Sequence, residues 1–153
     1  SDSFVGYELK SDADSLSRLP HQIKVYSAVF DKITLVVGYQ HAYAACRMVP
    51  QWWGIKFAEV GPRGRTSLST VRLPKQNPEQ DALALCRLLR KRELVELLMS
   101  LDWARPSNSH TSEEIIRIIL ENTDLATIKT FVVGRFKRRA LQRSGSPHIR
   151  GDD

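Results

Sequence analysis

Lys32-Ile33-Thr34-Leu35-Val36-Val37-Gly38 reads as a short β-branched run closed by a glycine, the pattern of a strand buried within a sheet. Upstream, Leu16, Leu19, Ile23, Tyr26 and Phe30 recur at helical spacing behind Asp12 or Asp14 as caps. Pro20 within that pattern marks a kink, or a main helix starting near Leu19. Residues 4–9 alternate aromatic and apolar side chains with small or charged ones, the period of a strand. Downstream, residues 41–49 read as a second helix. Residues 54–60 and 66–71 read as two further strands joined by the turn Gly61-Pro62-Arg63-Gly64-Arg65. The order β-α-β-α-β-β predicts an α/β fold with a mixed sheet and some parallel pairing.

After Pro74 the composition changes. Pro78 opens a leucine-rich stretch to Leu101 that predicts one continuous helix, with Leu83, Leu85, Leu88, Leu89, Leu94, Leu97 and Leu98 giving it a broad apolar face. Residues 103–109 form a linker. Thr111 or Ser112 then starts a helix with Glu113 and Glu114 at its positive end. A third helix ends at Gly134 or runs through it. These patterns divide the chain into an α/β core over residues 1–75, a C-terminal helical region over 76–143 and a disordered tail over 144–153.

The length of 153 residues suits a domain of ordinary size, and 42% hydrophobic residues supply a core. The longest apolar runs fall well short of the roughly 20 residues that cross a bilayer, so no membrane partner is expected. Two cysteines, Cys46 and Cys86, sit in helical apolar patterns without metal-site spacing, which favours buried thiols in a cytoplasmic setting. No signal segment opens the chain. The lack of an initiator Met suggests a boundary at residue 1 with something missing upstream. The net charge of +6 favours a polyanionic partner such as DNA. Residues 125–151 sharpen this expectation, carrying seven basic side chains and no acidic one.

Two short patterns suggest chemistry. Glu8-Leu9-Lys10 lies at the end of the first strand, so Glu8 and Lys10 project from one face while Leu9 is expected to face the core. A carboxylate there can ligate Mg²⁺, and a neighbouring ammonium can orient water or stabilise charge on phosphorus. Gln22 and Tyr26, at i and i+4, share a helical face that can look into the same cleft. The plainer reading is an exposed Gln and a Tyr anchoring the helix. Arg63 and Arg65 at a hairpin tip suit phosphate contact, as do Lys137, Arg138 and Arg139 at a helix end. Trp52 and Trp53 are candidates for base stacking, though core packing is the commoner use of such a pair. His21, His41, His110 and His148 lack metal spacing, and Arg87, Arg90, Lys91 and Arg92 read as one solvated helix face.

Gly6-Tyr7-Glu8-Leu9-Lys10-Ser11-Asp12, then Leu19-Pro20-His21-Gln22 with Tyr26, then residues 34–38, resemble a bacterial and phage family within the PD-(D/E)XK nuclease-like superfamily. In its RecB-like branch a Q-x-x-x-Y helix follows the E-x-K strand. The resemblance covers mainly residues 4–60. It implies a restriction-endonuclease-like core and a Mg²⁺- or Mn²⁺-dependent deoxyribonuclease. Glu8 and the carbonyl of Leu9 would then be metal ligands, Lys10 the catalytic lysine, and Gln22 and Tyr26 residues lining the site. The leading Asp of the pattern is absent and would fall before Ser1, so that an upstream segment supplies it, or a second chain does, as a homodimer or protein partner, or the chain is a non-catalytic relic of the fold. A catalytically silent DNA- or protein-binding module of phage defence or counter-defence is the alternative. A scaffold built on the C-terminal helices is a third reading.

Overall fold

A computed structural model describes residues 3–144. The chain forms two units, one over residues 3–81 and one from Ala82 onward. In the first unit β1 (Val5–Lys10), α1 (Leu19–Ser27), β2 (Lys32–Gly38), α2 (Ala42–Met48), β3 (Gly54–Val60) and β4 (Thr66–Arg72) follow one another. The strands form one sheet in the order β1-β2-β3-β4. β1, β2 and β3 are parallel, and β4 returns antiparallel to β3. The fold is therefore mixed α/β, as the element order predicts.

Because the strand order follows the chain, two right-handed crossovers in succession place α1 and α2 on the same face of the sheet. That face holds the core: Ile33, Leu35 and Val37 of β2 and Ile55 of β3 pack against Leu19 of α1 and Ala42 and Ala45 of α2. Trp53 is fully buried there and its indole N–H donates to Ser27 Oγ at 3.3 Å. Trp52 is buried too, 6.0 Å from Trp53 ring to ring, so neither indole face is open for the base stacking considered from sequence. Gly6 allows the Phe30 ring to lie against β1, since a Cβ there would meet that ring at 3.0 Å.

The opposite face of the sheet is largely bare. Tyr7 and Leu9 of β1 are exposed on it, and from Thr66 to Val71 every residue of β4 is exposed. β4 is anchored at its far end, where the Arg72 guanidinium donates to Trp53 O, Pro50 O and Gln51 Oε1 at 2.7–3.0 Å. The first unit continues past residue 75, the boundary expected from sequence. Lys75 N–H donates to Trp52 O, Asn77 N–H to Asp31 O and Asp81 N–H to Ala28 O, each at 2.8 Å. The buried Asn77 side chain also holds Ser27 O and Phe30 O at 2.7 Å.

The second unit contains α3 (Ala82–Cys86), α4 (Lys91–Ser100), α5 (Ser112–Asn122) and α6 (Leu125–Ser144). The continuous helix expected over residues 78–101 is broken in two. Arg90 takes an extended conformation as the N-cap of α4, and the Glu93 carboxylate accepts its N–H at 2.8 Å, so the chain turns and restarts. α5 begins as expected, with Thr111 and Glu114 hydrogen-bonding each other's backbone N–H. α6 runs through Gly134 and on to Ser144, so Ser144 is helical where the sequence suggested a disordered tail. The rest of that tail, residues 145–153, lies outside the described residues.

Candidate functional site

β1 carries Glu8 and Lys10 on the face that α1 covers, and α1 carries Gln22 and Tyr26 toward them. All four residues come together, but the strand faces the other way from the sequence expectation. Glu8 and Lys10 are 7% and 4% exposed, whereas Leu9 is 68% exposed. The alternation along β1 identifies which residues share a face, and the crossover geometry decides which face is covered. Leu9 is therefore a surface residue, and the ionic pair lies inside.

Lys10 Nζ sits 3.0 Å from Glu8 Oε1. Burial, the negative charge of Glu8 and a hydrogen bond to that carboxylate push the Tyr26 phenol above its ordinary range, while a hydrogen bond with Gln22 acts in the other direction. Tyr26 is thus a neutral donor to a carboxylate already paired with an ammonium. Gln22 Oε1 is buried without a hydrogen-bond partner in the protein, the one unsatisfied atom of the cluster. The arrangement is a short polar chain that neutralises its own charge under a helix.

The fit to Mg²⁺ or Mn²⁺ is poor. These cations need several oxygen ligands at near-octahedral angles. Glu8 offers one carboxylate, engaged by Lys10, and among the described residues no three His, Cys, Asp or Glu side chains gather to hold a metal. A cleft of about 230 Å³ touches Lys10, but its lining is Leu9, Ser11, Asp12, Asp14, Val36, Gly38, Ala58 and Val60, at the carboxyl end of the strands. The acids of that cleft are occupied locally. Asp12 accepts from Gln40 N–H at 2.9 Å, and Asp14 from Ser11 N–H and Oγ at 2.7 and 2.8 Å.

The cations singled out in the sequence divide into two groups. Arg63 and Arg65 are exposed in the tight connection between β3 and β4, where Arg63 has φ 71° and Gly64 φ 72°. Lys137 and Arg138 are exposed on α6. Arg139 instead turns to α4 and pairs with Glu93, its Nε 3.1 Å from that carboxylate, and stacks 4.8 Å from the Phe136 ring. One helical turn earlier, Arg135 pairs with Glu96 and stacks 4.7 Å from Phe131. Arg139 is accordingly a structural cation that joins α6 to α4. Burial alone would raise the Glu93 carboxyl, but Arg139 and the Arg90 N–H outweigh it and hold Glu93 below the usual carboxylate range.

Sequence reasoning treated Lys91 and Arg92 as part of a plain solvated face. They line a groove of about 660 Å³ with Arg105 and Asn108 from the following loop. The signal available in the sequence was the run Arg90-Lys91-Arg92 directly ahead of Glu93, cations at a helix start where acids are the norm.

The molecule is a mixed α/β protein with a one-sided sheet and a cation-rich helical unit. A family model described as bacteriophage P4 protein cII matches residues 1–147, and the chain belongs to that family. No curated protein and no solved structure matches it.

Proposed function

We propose that this chain is a phage-type nucleic-acid-binding module that acts without hydrolysing its target. The observation that carries this reading is the charge of the helical unit. Residues 82–144 hold twelve Lys and Arg against seven Asp and Glu, and α6 has no acidic residue at all. Glu93 and Glu96 draw Arg139 and Arg135 inward, and Lys137 and Arg138 remain exposed on α6. Cations placed in this way gain free energy from phosphate through counterion release. The buried Glu8–Lys10 pair belongs, on this reading, to the packing of the first unit. Cys46 and Cys86, which form no disulfide, suit a cytoplasmic site of action.

The test is fluorescence anisotropy of a labelled 30-mer across a salt series. The reading requires retention that weakens steeply as salt rises, and no retention at low salt would refute it.

Metal-dependent hydrolysis is the second reading, favoured by the convergence of Glu8, Lys10, Gln22 and Tyr26 on one spot. It needs further carboxylates from outside residues 3–144, supplied by more of the chain, a second copy or another protein. Plasmid cleavage in Mg²⁺ or Mn²⁺ that disappears with Glu8→Ala and with Lys10→Ala would establish it over the first.

A further inference from the structure

We infer that the groove between α4 and the loop after it is the phosphate-holding site, and that its ligand is the phosphodiester backbone of a nucleic acid. The inference rests on the nucleic-acid reading above and gives it a location. Lys91 and Arg92 come from the first turn of α4 and Arg105 from the loop, so three cations from two segments face one space of about 660 Å³. Lys91 Nζ donates to Asn108 O at 3.2 Å and ties that loop to the helix.

The one carboxylate in the groove is Glu96, and its charge is engaged by Arg135 from α6 and by Arg92 at 3.5 Å. The groove therefore keeps a surplus of positive charge. The Arg92 side chain is 84% exposed despite that contact, leaving its guanidinium open to a ligand. Val95 and Met99 add an apolar strip along the same wall, on which a sugar can rest.

The position of two of these cations argues for a ligand. The helix dipole makes the first turn of α4 a poor place for Lys91 and Arg92, each misplaced charge costing about 0.3–1 kcal/mol. The surface contacts of Lys91 with Asn108 O and of Arg92 with Glu96 do little more than offset that cost, and an anion bound in the groove adds a further reason for cations there.

Three variants decide the matter on duplex and single-stranded 30-mers, with inorganic phosphate as a competitor. Lys91→Glu/Arg92→Glu should lower affinity at least about tenfold and flatten the dependence of log K on log salt by about two. Its melting temperature should change little, because the gain from acids at that helix end offsets the loss of the Lys91–Asn108 and Arg92–Glu96 contacts. Arg105→Ala should lose affinity in the same direction. Lys137→Glu/Arg138→Glu, an equal change of charge on α6, should lose clearly less than the groove variant. If the two double variants lose affinity equally, or the groove variant keeps wild-type binding, the groove is the wrong site while nucleic-acid binding stands. If the wild type binds neither oligonucleotide, both claims fall. Displacement by millimolar phosphate as effective as by oligonucleotide would mark a site for free phosphate and overturn the polymer assignment.

Discussion

Replacing Lys10 with Met tests the role of the buried pair most directly. At 3.0 Å and an effective dielectric of about 20, the Glu8–Lys10 attraction is about 5–6 kcal/mol. Desolvation of several kcal/mol per ion largely offsets it, so the intact pair is close to neutral for stability. Lys10→Met removes the attraction and leaves the Glu8 carboxylate buried beside Tyr26 and the unsatisfied Gln22 oxygen. The expected cost is about 3–5 kcal/mol. For a unit of this size that is a fall in melting temperature of more than about 12 °C. Glu8→Leu should cost a similar amount. The double variant should recover most of the loss, since two apolar side chains of similar volume leave no stranded charge. Urea unfolding followed by Trp fluorescence in a Trp103→Phe background reports on this unit through Trp52 and Trp53. A loss below about 1 kcal/mol for either single variant, or a double variant no better than the singles, would refute the picture of a sealed, mutually dependent pair.

Gln22→Met removes a buried acceptor that has no protein partner but also the hydrogen bond to Tyr26, so the two effects should nearly cancel and the shift in urea melts should stay below about 1 kcal/mol; a loss of about 2 kcal/mol or more would mean that the oxygen is satisfied. Asn77→Ala should cost about 2–3 kcal/mol, as it strands Ser27 O and Phe30 O, and hydrogen exchange should then show residues 75–81 loosened from the first unit. Gly38→Ala should displace Asp12, whose carboxylate oxygen lies 2.2 Å from where the new Cβ would stand, and lower the melting temperature. The depressed Glu93 carboxyl contributes stability that is complete above its unfolded value near 4.5 and is lost as pH falls through the lower folded value. Wild type and Glu93→Gln should therefore differ at pH 7 and converge in acid, and a constant gap across the pH range of thermal melts would contradict the assignment.

Much of the first unit is legible from local patterns. Residues 54–60 form the expected strand, β2 gains only Gly38, and α1 starts at Leu19 with Pro20 in its first turn, where a missing N–H does no harm. The grouping of Glu8, Lys10, Gln22 and Tyr26 is legible as well. Their burial is not, because period-2 alternation carries no information on which side the crossover helices fall. The break between α3 and α4 escaped for a different reason: Leu88, Leu89 and Leu94 continue a helical pattern across Arg90, and the capping contact from Glu93 wins over it. The groove was hidden because Arg105 is thirteen residues from Arg92, and no periodicity links a helix to its following loop.

Arg72 gives the outermost strand a rivet at one end only. Along the rest of β4 the backbone bonds to β3 work without side-chain cover, so this hairpin should open from its tip like a hinged flap. Arg63 and Arg65 sit at that tip, the end farthest from the Arg72 anchor. Hydrogen exchange should accordingly be faster toward Thr66 than near Arg72, and uniform protection along β4 would contradict this.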